Sequence, residues 1–432
     1  MRSVLDSWIS KKHNLEGEEQ LRRWQEEKIR ELFVYVCEKS SFYRKHFAGY
    51  SVPKNRMEWE RLPFLTAKDL EEHGLEMLCV SQGEIERVVT LNTSGTSGSP
   101  KRLYFTKEDL ELTVDFFCAG MGEVVKPGEK TAVFLHCKRA GSVGELLQKG
   151  LGKLGAKGYG KGPVNDPGKT LIWLSREGIE AFVGTPLQAL ALAEHEKAKR
   201  LPLQLKKILV STDFLADSAR RRIEEGLNCQ VYNHFGITEA GLGAAVECGC
   251  HEGMHIREND LLFETVDPIS GQPAPDSMEG ELVLTTLTRR GMPLIRYRTG
   301  DYGVLDRGIC RCKSRLTRIT GLGGRIGNAL GETGNQRIGM PDLDECLFSI
   351  DGLLDYGVEY REREKRLDIR LVFFGQEKGK AEKAKAYLQS FIKEKGLQEQ
   401  IIRLGVAWEE TDSWIPQYQG KRYIKKEQED KV

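Results

Sequence analysis

The sequence of 432 residues predicts an α/β protein, with a large body of alternating strands and helices followed by a smaller α+β C-terminal lid. Three observations lead there. Short apolar runs bounded by charge or glycine alternate with helix-like segments through the first half of the chain. From about Glu279 the texture changes to strands and turns. A glycine-rich break, GLGGRIGNALGETGNQ over 321–336, then sets off a smaller terminal unit.

The elements follow in order. Residues 18–48 read as amphipathic helix, with Leu21, Trp24, Ile29, Leu32, Phe33 and Val36 at roughly helical intervals. Arg87–Leu91, Thr131–Leu135, Ala181–Gly184 and Ile208–Ser211 read as strands. Lys107–Met121 and Pro186–Lys199 read as helices between them, which suggests a largely parallel sheet. Strand-like GELVLTTLT and PLIRYRTGDYGVL come next. The terminal unit offers VEYRERE, RLDIRLVFF, an amphipathic helix over Gly379–Lys395 and a last strand RLGVAWEE. Consecutive glycines place a hinge near Gly321–Arg325.

Composition excludes several classes. Lys plus Arg number 65 against 64 for Asp plus Glu, and a net charge of +1 argues against a dedicated nucleic-acid binder. No apolar run reaches the roughly 18–20 residues of a membrane span. The N-terminus lacks an apolar signal core, so a cytoplasmic setting is expected, with the ten cysteines as thiols or metal ligands.

The most informative segment is Thr93-Ser94-Gly95-Thr96-Ser97-Gly98-Ser99-Pro100-Lys101, between strand-like RVVTLN and helix-like KEDLELTVDFF. Glycines let the backbone turn several N–H groups toward one point, and such a nest attracts anions. Hydroxyls of Thr93, Ser94, Thr96 and Ser97 add donors, and Lys101 adds a point charge. A polar hairpin is the alternative; the closing Pro-Lys and the flanking strand favour a polyphosphate site. The common P-loop pattern is absent. Gly150, Gly152 and Gly155 match a dinucleotide fingerprint but trail a helix instead of a strand.

The loop resembles the phosphate-binding motif of the adenylate-forming superfamily, and further motifs support this in order. Asn233-His234-Phe235-Gly236-Ile237-Thr238-Glu239 is similar to its aromatic-Gly-x-[Ser/Thr]-Glu motif. Gly280-Glu281-Leu282 and Tyr297-Arg298-Thr299-Gly300-Asp301 are similar to two others, and Arg318-Ile319-Thr320-Gly321 stands at the expected ribose contact and hinge. Within the superfamily the chain resembles phenylacetate–CoA ligases, through Phe42-Tyr43-Arg44, the segment Leu62–Leu70 and MPLIRYRTGD.

The resemblance implies an adenylate-forming N-terminal domain over 1–322 and a lid over 323–432. It implies that Thr93, Ser94, Gly95, Thr96, Ser97, Gly98 and Lys101 hold ATP phosphates. His234, Phe235 and Gly236 belong to the nucleotide site, with Phe235 stacked on adenine. Thr238 contacts phosphate and Glu239 contacts Mg²⁺, as hard cations prefer carboxylate oxygen. Asp301 accepts the ribose hydroxyls, and Arg318 adds a donor. Lys421 stabilises charge during adenylation, with Lys425 or Lys426 as competitors. Outside these motifs, Glu239 would read as a surface helix-start residue, Asp301 as a turn residue and Lys421 as part of a charged tail.

Cys248, Cys250, His251 and His255 precede Cys310 and Cys312, each group in a turn-like setting. Tetrahedral Zn²⁺ takes Cys and His in such combinations, while unrelated reduced cysteines are the alternative. Some phenylacetate–CoA ligase relatives carry a similar structural zinc. That resemblance selects Cys248, His255, Cys310 and Cys312, within 245–315, and holds Cys250 and His251 in reserve.

Three segments depart from the family pattern. Cys137-Lys138-Arg139-Ala140-Gly141-Ser142 replaces an aromatic, glycine-rich stretch lining the acyl pocket, so Lys138 or Arg139 either meets a second anionic group or faces water. Ser211-Thr212-Asp213 replaces a Gly-Ala-Glu-like adenine segment, and Gly324-Arg325-Ile326-Gly327-Asn328 replaces the acidic hinge. The expected function is ATP-dependent activation of an aryl or arylacetic-type carboxylic acid and transfer to CoA. Adenylation with a non-CoA acceptor, and nucleotide binding without turnover, are the alternatives. The expected partners are the carboxylate, ATP and CoA, with a homodimer left open, and neither nucleic acid nor membrane.

Overall fold

A computed structural model describes residues 3–15, 17–91, 100–331, 336–376, 379–411 and 422–427. The expected phosphate-loop residues Thr93, Ser94, Gly95, Thr96, Ser97 and Gly98, and the expected catalytic Lys421, lie outside the described residues. The chain divides into two compact units: Met1–Gly128, Cys137–Lys157 and His234–Gly321 form one, and Glu129–His136, Gly158–Asn233 and Leu322–Val432 the other. One break follows Gly321, beside the expected boundary at 322/323. The second unit groups the C-terminal residues with two segments from the middle of the chain.

In the first unit, helix Glu18–Lys39 stops at Ser40, whose hydroxyl accepts the Tyr43 N–H and starts the short helix Ser41–His46. The single helix expected over 18–48 is thus two, because the serine offers a capping acceptor inside the run. Phe33, Val36, Phe42 and Tyr43 bury into one core with Trp59, Leu65 and Leu294. Strand Ile85–Leu91 pairs antiparallel with strand Lys101–Thr106, and Leu91 lies opposite Lys101. The sequence reading passed from the loop directly to the helix and missed this second strand. Thr106 and Asp109 then form a capping box for helix Lys107–Val124. Asp109 also accepts the N–H groups of Arg290 and Gly291 at 2.8 and 3.0 Å, fixing the approach to the MPLIRYRTGD segment.

Strand Leu261–Val266 pairs antiparallel with Glu279–Thr286, which pairs antiparallel with Tyr297–Asp306. Met254–Ile256 pairs antiparallel with Ala245–Glu247 and with Arg318 and Ile319. Residues Arg318–Arg325 form a strand that runs through the glycines of the expected hinge, and within it Gly324 takes φ +86°, a left-handed backbone that favours glycine. A Cβ on Gly321 would meet Val304 at 3.2 Å, and its absence suits that close approach.

In the second unit, Lys130–Val133, Ala181–Gly184 and Lys207–Val210 are successive parallel strands, and Gln230–Asn233 continues the parallel register. Of the strands expected in the parallel sheet, those at 131–135, 181–184 and 208–211 fall in this stretch, whereas Arg87–Leu91 belongs to the antiparallel pair described above. Helices Pro167–Glu177, Pro186–Glu194 and Asp217–Leu227 connect its strands. The helix expected to reach Lys199 breaks at His195. Farther on, Leu353–Arg361 pairs antiparallel with Arg366–Phe374, Arg403–Thr411 adds parallel to the latter, and Lys425–Lys426 adds parallel to the former. Helix Lys380–Glu394 buries Ala384, Leu388 and Ile392. One hydrophobic core runs from Phe182 and Leu190 through Leu343 and Leu347 to Leu371 and Leu388. Among the described residues no helix is long and apolar enough to cross a membrane.

Candidate active site

Strand Gln230–Phe235 leads into the Phe-Gly-Ile-Thr-Glu run, where a single 3₁₀ turn, Thr238–Ala240, buries Glu239. Gly236 is needed for a close approach: a Cβ there would lie 2.0 Å from the Leu242 carbonyl oxygen and 2.8 Å from the His234 ring. The turn closes when Gly241 N–H donates to Thr238 O at 2.9 Å and Leu242 N–H to Ile237 O at 3.0 Å.

Glu239 forms an ion pair with Lys101, the first residue of the strand after the expected phosphate loop. The Tyr297 hydroxyl donates to the same carboxylate oxygen at 3.2 Å and accepts from Lys101 Nζ at 3.1 Å. Burial pushes the Glu239 carboxyl up, but the Lys101 ammonium more than offsets this and holds it below its ordinary range. The site therefore has a fixed, ionised carboxylate and a fixed cation where the loop ends. Tyr297 was present in the YRTGD motif, but the sequence reading assigned it no role.

The other expected residues have specific neighbours. His234 is buried against the rings of Phe116 and Phe117, with centroids at 5.9 and 6.3 Å. Burial, assisted by Arg257, lowers its pKa to about 4, so the imidazole is neutral at pH 7. Phe235 is buried edge-on to Phe263 at 6.3 Å. Thr238 is half-buried at the start of the turn. Asp301 is buried just after Gly300, which takes φ +72°, and its N–H donates to Thr299 Oγ1 at 3.1 Å. Arg318 is committed to Asp306 at 2.6 Å and to the Glu252 carbonyl at 2.8 Å. Lys138 and Arg139 are exposed.

Arg318 lies opposite His255 in the strand register, beside a buried cluster of Cys248, His255, Cys310 and Cys312. Their ligand atoms all lie within 4.8 Å of one another. Cys248 and Cys310 sulfurs are 3.8 Å apart, and Cys312 Sγ is 3.4 Å from His255 Nε2. His251, held in reserve by the sequence reading, turns instead to Glu247 at 3.1 Å.

Residues 84–287 match the AMP-binding enzyme family. The phenylacetate-coenzyme A ligase of Thermus thermophilus is 32% identical over 327 residues, 72% of each chain. The chain belongs to the phenylacetate–CoA ligase family. The ligase of that name from Pseudomonas putida is 28% identical over 318 residues, 70% of each chain. In fold, the chain is similar to a 2-hydroxyisobutyryl-CoA ligase solved in the postadenylation state with 2-HIB-AMP. The TM-score is 0.75 at 22% identity, covering 93% of this chain and 88% of that one.

In this family member residues 422–427 make specific polar contacts. Arg422 pairs with Asp213 at 2.7 Å and Asp344 at 2.8 Å, and the Tyr356 hydroxyl donates to Asp344 at 2.5 Å. Burial opposes the charge on Arg422, and Asp344 and then Asp213 more than restore it. The departure at 211–213 thus supplies a partner for the tail. Thr212 takes φ +83°, a left-handed backbone that β-branched residues rarely adopt, so the segment is strained. At the second departure, Asn328 Oδ1 accepts Ile424 N–H at 2.9 Å and its Nδ2 donates to Ile424 O at 3.4 Å. Lys425 lies 3.4 Å from Glu359, and Lys426 donates to the Gly327 carbonyl at 3.1 Å, so both competitors of Lys421 are engaged elsewhere.

Proposed function

We propose that this protein is an AMP-forming acid–CoA ligase for a phenylacetate-like, aryl or arylacetic carboxylic acid. A carboxylate oxygen attacks the α-phosphorus of ATP, the bond to the β-phosphate breaks, and pyrophosphate leaves. The CoA thiolate then attacks the acyl carbon of the adenylate, and AMP leaves. The observation that carries this reading is the buried Lys101–Glu239 pair, which joins the end of a Ser/Thr/Gly loop to the Phe-Gly-Ile-Thr-Glu turn.

The pair suits a metal-bound polyphosphate. Glu239 is ionised and would hold Mg²⁺, while Lys101 would take a phosphate oxygen, and Mg²⁺ would supply charge neutralisation at the phosphates. Residues 93–98 would cradle the β and γ phosphates, and Thr238 would contact phosphate. Asp301, His234, Phe235 and Gly236 would form the nucleotide pocket, with Arg318 at its ribose side. Lys421 would stabilise the charge that develops during adenylation. Residues 1–322 would act as the adenylating domain and 323–432 as the lid.

We assign a structural Zn²⁺ to Cys248, His255, Cys310 and Cys312. A tetrahedron with Zn–S of about 2.3 Å has an edge of about 3.8 Å, which the Cys248–Cys310 separation of 3.8 Å matches. Four protein ligands leave no open position, so the metal would brace the loops around Glu252 and Arg318 without taking part in chemistry. The ten thiols, all free, fit a cytoplasmic setting. A homodimer, and the absence of nucleic-acid and membrane partners, belong to the same reading.

Hydroxylamine trapping with ATP and a panel of carboxylates tests the proposal. Hydroxamate from phenylacetate or a close analogue, with thioester once CoA is added, is the expected result. Nucleotide binding without hydroxamate from any acid would refute it.

A further inference from the structure

Arg296 is fully buried yet takes φ +50°, a left-handed backbone that a long side chain rarely adopts. Its surroundings hold it there. The Arg296 N–H donates to Thr285 Oγ1 at 3.0 Å, and its carbonyl accepts the Leu65 N–H at 3.0 Å. Nη1 of the guanidinium donates to the carbonyls of Glu60 and Leu62 at 2.5 and 2.6 Å, and Nε donates to Glu264 at 3.4 Å. The guanidinium carbon lies 4.2 Å from the centre of the Phe64 ring.

Burying a guanidinium is unfavourable, and an apolar side chain could fill the same space without that penalty. What the arginine adds is direction. Its fork ties residues 60–62 to residue 296, and the Leu65 carbonyl accepts the Arg298 N–H at 2.8 Å. The backbone is therefore fixed on both sides of Tyr297. Successive side chains of a strand point to opposite faces, so a rotated backbone at 296 would carry Tyr297 away from its present neighbours. As built, the Tyr297 hydroxyl sits between two charges: it accepts from Lys101 Nζ at 3.1 Å and donates to Glu239 Oε1 at 3.2 Å. Lys101 approaches the same Oε1, so neither group engages Oε2.

We propose that Arg296 and Tyr297 are positioning residues of the nucleotide site: Arg296 sets the direction of Tyr297, and the Tyr297 hydroxyl steadies Glu239 while Lys101 exchanges that carboxylate for a phosphate oxygen. This inference rests on the ligase reading above. When Lys101 turns to phosphate, Glu239 loses its counter-charge inside the protein, and a buried carboxylate without a donor is strongly disfavoured. The tyrosine O–H remains on Oε1 through that exchange and leaves Oε2 for Mg²⁺. Its oxygen also offers Lys101 a second acceptor, which loosens the lysine from Glu239.

The test uses full-length protein with Tyr297→Phe, Arg296→Lys and the double variant. ATP binding is followed by equilibrium dialysis across a Mg²⁺ titration with no carboxylic acid present. Tyr297→Phe should raise the Mg²⁺ concentration for half-maximal ATP binding at least tenfold. In hydroxamate formation from phenylacetate, KM for ATP at fixed Mg²⁺ should rise at least tenfold, with kcat within threefold. Arg296→Lys should shift the Mg²⁺ requirement in the same direction. The double variant should stay within twofold of the larger single shift, because one residue acts through the other. Thr285→Val removes the acceptor of the Arg296 N–H without altering the guanidinium, and it serves as the second variant for this link if Arg296→Lys does not fold. It should raise the Mg²⁺ requirement at least threefold. A Mg²⁺ requirement within twofold of wild type in Tyr297→Phe, or shifts that multiply in the double variant, would overturn the proposal. Wild type that binds ATP but gives no hydroxamate from any acid would refute the ligase reading, and the binding shifts alone would then decide the roles of Arg296 and Tyr297.

Discussion

Lys101 and Glu239 lie 138 residues apart in sequence and meet as a buried ion pair, with the Tyr297 hydroxyl hydrogen-bonded to both. The pair holds a carboxylate ionised in a place where burial alone would neutralise it. That relationship links strand Lys101–Thr106 to the Phe-Gly-Ile-Thr-Glu turn, and its consequences can be measured.

Replacing Lys101 by Met leaves Glu239 buried without a counter-charge, which should cost about 3–5 kcal/mol at pH 7.5. The sign of the pH dependence follows from the pKa. In wild type the Glu239 value is depressed, so its contribution is present above the ordinary carboxylate range and is lost only as pH falls through the lowered value. In the variant, burial acts unopposed and the value rises, so folding favours the protonated carboxyl. The deficit should therefore shrink as pH is lowered from 7.5 to 5, as measured by paired thermal melts. A deficit that stays constant or grows over that range would contradict this account.

Gly236→Ala puts a Cβ where the Leu242 carbonyl already lies. The 236–242 turn must open, drawing Glu239 away from Lys101. Hydroxamate formation should fall at least a hundredfold, with a lower Tm. Activity within threefold of wild type would show that the turn can relax without moving Glu239.

Purified protein prepared without chelator should carry close to one zinc per chain. Cys310→Ser and His255→Ala should lose it, and Tm should drop by roughly 10 °C, equivalent to several kcal/mol at about 2–4 °C per kcal/mol. His251→Ala should keep the metal, because His251 faces Glu247. Metal loss in His251→Ala but not in His255→Ala would reverse the ligand assignment.

Lys421→Ala should slow hydroxamate formation at least a hundredfold and leave thioester formation from preformed adenylate within threefold. Lys425→Ala and Lys426→Ala should change neither step by more than threefold, since one faces Glu359 and the other caps the Gly327 carbonyl. Similar losses from Lys421→Ala in both steps would remove it from the adenylation role.

Much of the molecule could be read from local pattern. The Ala181–Gly184 strand, the helix Lys380–Glu394 and the start of helix Lys107–Val124 follow from apolar spacing and from capping by a threonine, all encoded within a few residues. Six Cys and His candidates were readable as residue types, and only the family resemblance selected Cys248, His255, Cys310 and Cys312 among them, the four that the structure brings together. Strand Lys101–Thr106 was missed because the lysine was read only as a phosphate ligand, which hid the start of KRLYFT as a strand.

The sequence by itself determined the family, the order of its motifs and the residue types available for phosphate, metal cation and zinc. Those depend on short-range spacing, which the chain carries wherever it folds. Only the tertiary structure decided which charges meet: Lys101 with Glu239 and Tyr297, Arg318 with Asp306, and Arg422 with Asp213 and Asp344. An ion pair between distant positions needs the whole core to bring its partners within about 4 Å and to exclude water around them. No local pattern contains that information: Arg422 stands in a run of charged residues, and only the fold brings it to the carboxylates of Asp213 and Asp344.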